Sequence, residues 1–157
     1  MKRIASFAVI AAVLVAAPSL ALADATETNA SRVPAVANDY DNAKKAIANK
    51  DWKAAIKSLE AAERGDPKDA DVQNLLGYSY RKSGNLDAAF KHYGRALDLN
   101  PKHLGAHEYV GEAYLMAGKP AKAKEHLALL EKYCPASCEE RDDLRKAIGE
   151  YERKAGR

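Results

Sequence analysis

Residues 70–103 read ADVQNLLGYSYRKSGNLDAAFKHYGRALDLNPKH, and residues 104–137 read LGAHEYVGEAYLMAGKPAKAKEHLALLEKYCPAS. Laid over one another, the two stretches align Gly77 with Gly111, Tyr80 with Tyr114, Ala89 with Ala123, His92 with His126 and Pro101 with Pro135, each pair 34 residues apart. Pro67 stands another 34 residues before Pro101, which marks out a third unit over 36–69. There Ala43, Ala46, Ala55, Leu59, Ala62 and Pro67 keep the small and closing positions, while Asn42 takes a slot that is apolar in the other two. Self-similarity at a period of roughly 20–50 residues marks a stack of units, each unable to bury its own apolar face alone.

Apolar residues recur within each unit at helical spacing, in two runs separated by a turn. The predicted helices are 38–49, 52–64, 70–82, 86–98, 104–116 and 120–133. Ser83-Gly84-Asn85 and Ala117-Gly118-Lys119-Pro120 supply the turns within pairs. Asp66-Pro67 and Asn100-Pro101 each predict a capping side chain followed by a proline preset for the first helical turn. Gly77 and Gly111 lie inside helical patterns, where glycine costs about 1 kcal/mol against alanine. Another element must therefore come close, and Ala55, Ala89 and Ala123 are the expected other side of that approach. Tyr80, Tyr93 and Tyr114 are expected in the core.

The set Leu76-Gly77, Tyr80, Ala89, Tyr93, Ala96 and Pro101, repeated as Val110-Gly111, Tyr114, Ala123, Leu127, Leu130 and Pro135, resembles the tetratricopeptide-repeat family across 36–137. The resemblance implies an all-α fold, an α-α superhelix of three helix pairs. It also implies a concave surface, lined by the first helix of each pair, that holds a peptide or a partner helix. On this chain the groove positions are Tyr40, Lys44, Asn74, Tyr78, Arg81, Glu108, Glu112 and Leu115. A peptide lying there is expected to set its acidic part against Lys44 and Arg81 and its basic part against Glu108 and Glu112. One subtype clamps the terminal carboxylate of heat-shock chaperones with lysines, an arginine and asparagines. Tyr40, Lys44, Leu75, Gly105 and Tyr109 stand at those positions here, and that departure excludes such a ligand.

A seventh helix is expected over 138–157 as a cap on the last repeat. Ser137-Cys138-Glu139-Glu140 reads as a capping box, with acidic residues at its start and Arg153 and Lys154 at its end matching the helix dipole. Leu144, Ala147, Ile148, Tyr151 and Ala155 give it one apolar stripe. At the other end, Lys2 and Arg3 precede an apolar run closed by Ala21-Leu22-Ala23. This predicts a cleavable signal peptide over 1–23, export to the periplasm, and a flexible leader over 24–37. No later run approaches the roughly 20 apolar residues needed to span a bilayer, so no membrane span is expected after cleavage. Cleavage removes Lys2 and Arg3 and no acidic residue, taking the formal charge from +3 to +1. The remaining chain lacks the basic stripe that nucleic acid requires.

Cys134 and Cys138 are the only cysteines. In an oxidising compartment they are expected to form a disulfide worth about 2 kcal/mol in chain entropy. The alternative is a thiol-dependent redox or copper-binding protein using the same pair. His103 and His107 stand four apart, the spacing of one helix face, and are read as incidental, so neither a metal nor another cofactor is expected. No hydrolase triad, phosphate-binding glycine loop or paired-carboxylate pocket is legible, and the chain is not expected to be an enzyme. The expected partner is a protein or peptide, with end-to-end stacking into a homo-oligomer as a further expectation.

Overall fold

The computed structural model describes residues 32–156, with side chains from Ala37 onward. The expected signal peptide and the first part of the leader lie outside the described residues. Seven helices follow in order: α1 Arg32–Ala48, α2 Trp52–Gly65, α3 Ala70–Lys82, α4 Leu86–Leu99, α5 Leu104–Met116, α6 Pro120–Tyr133 and α7 Glu139–Lys154. They pack as three pairs, α1 with α2, α3 with α4 and α5 with α6, and α7 then lies against both α5 and α6. The first helices of the second and third pairs, α3 and α5, also touch, whereas α2, α4 and α6 make no comparable contact with one another. First helices therefore form the inner, concave side of a superhelix. No helix among the described residues is long and apolar enough to cross a membrane.

Local chemistry accounts for the helix ends, though not always as the sequence suggested. α1 begins at Arg32, so residues 32–37 are helical rather than part of a flexible leader. Pro34 sits in its first turn, where a missing N–H costs nothing. Asp66 and Asn100 cap the C-termini of α2 and α4, and Pro67 and Pro101 lie in the turns beyond. The N-caps are instead Asp69 and His103, whose side chains accept from Val72 N and Ala106 N.

The close approach at the helical glycines is made by large side chains, not by the expected alanines. A Cβ on Gly77 would lie 2.5 Å from Tyr93 Cδ1, and one on Gly111 would lie 2.6 Å from Leu144 Cδ2. Tyr93 and Leu144 are fully buried as a result. Tyr80 and Tyr114 are only half-buried, stacked on the rings of His92 and His126 at 5.4 and 5.7 Å. Leu144 stands 34 residues after Val110, and Ile148 the same distance after Tyr114, and all but Tyr114 are buried. α7 is thus the first helix of a fourth unit in register, packed as α5 packs on the second pair.

The connection to α7 is not closed by the expected capping box. Cys138 is its N-cap and makes no side-chain capping bond. Arg141 holds the connection instead, its Nη1 donating to the carbonyls of Cys134, Pro135 and Ala136 at 3.1, 3.2 and 2.7 Å.

Candidate functional site

The concave face is built around Arg81 near the C-terminus of α3. Its side chain is 7% exposed, with Nη1 2.5 Å from Glu112 Oε2 on α5, and its Nε donates to the Tyr93 hydroxyl at 3.3 Å. The guanidinium lies 5.4 Å from the Tyr78 ring centroid and 5.5 Å from that of Tyr109. Those two rings meet each other at 4.8 Å, and Trp52 abuts Tyr78 edge-on at 6.0 Å. Lys82 stands over both Trp52 and Tyr78 at about 6 Å. Burial works against the charge on Arg81, but the Tyr93 hydroxyl and Glu112 outweigh it and hold the guanidinium pKa above its usual value.

Three of the predicted groove residues, Tyr78, Arg81 and Glu112, therefore come together. Their arrangement corrects the expected charge pattern, because Arg81 is already neutralised by Glu112 and cannot take an acidic segment of a ligand as well. The others are dispersed. Lys44 pairs with Asp41 at 3.1 Å and rests over Tyr40, while Tyr40 packs against the core of the first pair. Leu115 belongs to the core with Ala123, Leu130, Leu144 and Ile148. Asn74 is buried with its Oδ1 unpartnered. Glu108 lies apart, in a cleft between α5 and α7.

Two openings flank the Arg81 cluster. One, of about 400 Å³, runs between α3, α5 and α7 past Lys82, Leu115, Met116, Ala147 and Tyr151; Met116 is 56% exposed. The other, of about 230 Å³, is lined by Gly105, Glu108, Tyr109, Glu139, Glu140 and Asp143. Burial, reinforced by Glu112, Asp143 and Glu140, pushes Glu108 up to about 8. Burial and then Glu108 push the Tyr109 hydroxyl up to about 12. Tyr109 and the α7 carboxylates escaped the sequence assignment. Extending the 34-residue register by one unit finds them, since Asp143 follows Tyr109 by one period.

The histidines also pair differently from the expected spacing. His103 caps α5 through Nδ1, and its Nε2 lies 3.0 Å from Asp71 Oδ1. His107 meets His126 instead, Nδ1 to Nδ1 at 2.9 Å, and its Nε2 donates to the Pro101 carbonyl at 3.0 Å. A neutral His107 with its proton on Nε2 leaves Nδ1 as the acceptor, so His126 donates. The preceding unit makes the same bond with a different residue, since Gln73 Oε1 is 2.8 Å from His92 Nδ1. Burial, then the neighbouring His107, lowers His126 to about 4.

An unfolded histidine titrates near 6.5, so on acidification the unfolded chain takes up this proton first. The contribution of His126 to stability is complete above that value and is lost as pH falls toward 4. Denaturant midpoints are expected to show a loss of about 1–2 kcal/mol between pH 7 and 4.5 from this group, with a shallower slope in His126→Gln, which rebuilds the Gln–His bond with its partners exchanged.

Cys134 and Cys138 are free thiols, so the expected cross-link is not made in this structure. Burial and a hydrogen bond with Cys134 push Cys138 up to about 11. A raised thiol pKa lowers the share of thiolate, the form that attacks disulfides and binds soft metals. Among the described residues, no group of three or more His, Cys, Asp or Glu is placed to hold a metal ion.

Comparison with known proteins agrees with this architecture. The family described as Tetratricopeptide repeat matches residues 70–103. Superkiller complex protein 3 of Homo sapiens is 31% identical over 86 residues, which is 52% of this chain and 6% of that protein. The human O-mannosyl-transferase TMTC3 is 24% identical over 55% of this chain. The chain spans 6% and 10% of the lengths of these two relatives. Among solved structures, the TPR2B domain of yeast Sti1 in its pHsp70 complex superposes with a TM-score of 0.68 at 18% identity, covering 74% of this chain and 98% of that one. The second TPR domain of human RPAP3, in complex with an HSP70 peptide, gives 0.65 at 18% identity, covering 74% and 97%. The 34-residue units, the paired helices and the matched repeat lead to one assignment: residues 70–103 form a tetratricopeptide repeat, set in an all-α superhelix with the fold of these solved domains.

Proposed function

We propose that this protein is a non-catalytic interaction scaffold that holds a peptide or partner helix along its concave face, acting in the periplasm once residues 1–23 are removed as a signal peptide. The observation that carries the proposal is the half-buried aromatic shelf of Trp52, Tyr78 and Tyr109, locked by Arg81 and edged by Lys82. Rings held in place before a ligand arrives offer contact area at little entropic cost. The similar domains of Sti1 and RPAP3 are in complexes with pHsp70 and an HSP70 peptide respectively. Tyr40, Leu75, Gly105 and Tyr109 at the clamp positions point here to a different peptide. In an oxidising compartment the neighbouring thiols would close to a disulfide, passing two electrons and two protons to a thiol–disulfide oxidant.

The test is capture of partners from periplasmic extract by the immobilised chain and by a Trp52→Ala/Lys82→Glu variant of unchanged melting temperature. Partners held by the wild type and lost by the variant support the groove. Identical recovery by both removes it.

A further inference from the structure

The cleft between the N-terminal halves of α5 and α7 holds a buried carboxyl group that the fold does not explain. Glu139, Glu140 and Asp143 stand in the first turns of α7, where the helix dipole favours them. Glu108 has no such reason to be there. It sits in the second turn of α5, is 9% exposed, and lines the floor of the cleft. It makes no hydrogen bond or ion pair among the described residues. Arg81, the cation that acts on it, is already engaged by Glu112. A carboxylate withdrawn from water among like charges is costly unless something pairs with it.

We propose that this cleft receives a lysine or arginine side chain of the peptide held in the groove. The proposal rests on the concave face being a peptide groove and adds the chemistry of its ligand. The four carboxylates are spread over two helices, an arrangement suited to a guanidinium, which presents five donors in a planar fork. The aliphatic stem of such a residue would run along the Tyr109 ring as its charged end reaches Glu108. Gly105 lies at the edge of the cleft and packs closely on α3, where a Cβ would press to 3.2 Å on Asn74 Nδ2.

The groups facing Glu108 are Tyr109 and Glu112 on its own helix, Glu139, Glu140 and Asp143 on α7, and Arg81 on α3. With Glu108 raised to about 8 in the free protein, a bound cation draws its proton off, and affinity strengthens from pH 6 to pH 8.

The experiment is an NMR titration of the full chain with N-acetyl-arginine amide, with the neutral isostere N-acetyl-citrulline amide as the comparison probe. Saturable shifts are expected at the amides of Gly105, Glu108, Glu140 and Asp143 for the arginine probe. Affinity should be about tenfold weaker or more for citrulline, and for the Glu108→Gln and Asp143→Asn variants. Glu108→Gln is isosteric and Asp143 is exposed, so at least one variant keeps the fold. Equal affinity for the two probes, or indifference to both substitutions, overturns the proposal. If that happens while Trp52→Ala/Lys82→Glu still loses captured partners, the groove stands and the cationic site falls. If the arginine probe binds in the cleft but the wild type captures nothing, the groove falls alone.

Discussion

Leu144→Ala is expected to lower unfolding free energy by about 3–4 kcal/mol, in the middle of the range for buried leucine truncation. The side chain is fully buried among Leu115, Ala123, Leu130 and Ile148, and it fills the hollow left by the missing side chain of Gly111. Backbone and glycine hold that hollow open, so the site has little freedom to collapse once the isobutyl group is gone. Because α7 is the last unit of a quasi-one-dimensional stack, the loss falls first on its docking. Hydrogen exchange is expected to show protection lost across 139–154 well before α3 and α4 are affected. A variant with unchanged midpoint and unchanged protection there would show that α7 is not held by this contact. The same substitution takes away the α7 wall of the acidic cleft, so binding of the arginine probe should be lost with it.

Arg81→Ala is the second large effect, expected at about 3 kcal/mol. The substitution strands Glu112 without its cation, leaves the Tyr93 hydroxyl buried with one partner fewer, and empties the space between the Tyr78 and Tyr109 rings. Arg81→Lys is expected to recover little, since an ammonium cannot at once meet a carboxylate, a hydroxyl and two ring faces. A double-mutant cycle with Glu112→Ala isolates the pairing. A coupling near zero there would mean that Arg81 acts only as packing between the rings.

The architecture was legible because its cause is repetition. Two glycines, two tyrosines and three prolines at one interval state the unit, and helical spacing within the unit states its elements. What escaped was set by partners distant in sequence. Arg81 reads as a free groove cation until Glu112 is brought to it from the next unit, and Leu115 reads as groove-facing until α7 covers it. The pairing of His107 with His126 was hidden because its counterpart in the preceding unit uses Gln73, so the position is shared while the residue type is not. α7 looked like a generic cap because Gly149 and Arg145 break the small-residue pattern, although Leu144 and Ile148 keep the interval.

The Arg141 latch has a consequence for how freely this chain can change. One guanidinium holds the bend between α6 and α7 by reading three carbonyl oxygens, a group that every amino acid supplies. The exposed side chains of Ala136 and Ser137 take no part in that grip through their own atoms. The bend therefore tolerates wide substitution at 136 and 137 while Arg141 is irreplaceable, and those two positions are where a spectroscopic label can be introduced without disturbing the unit beyond them.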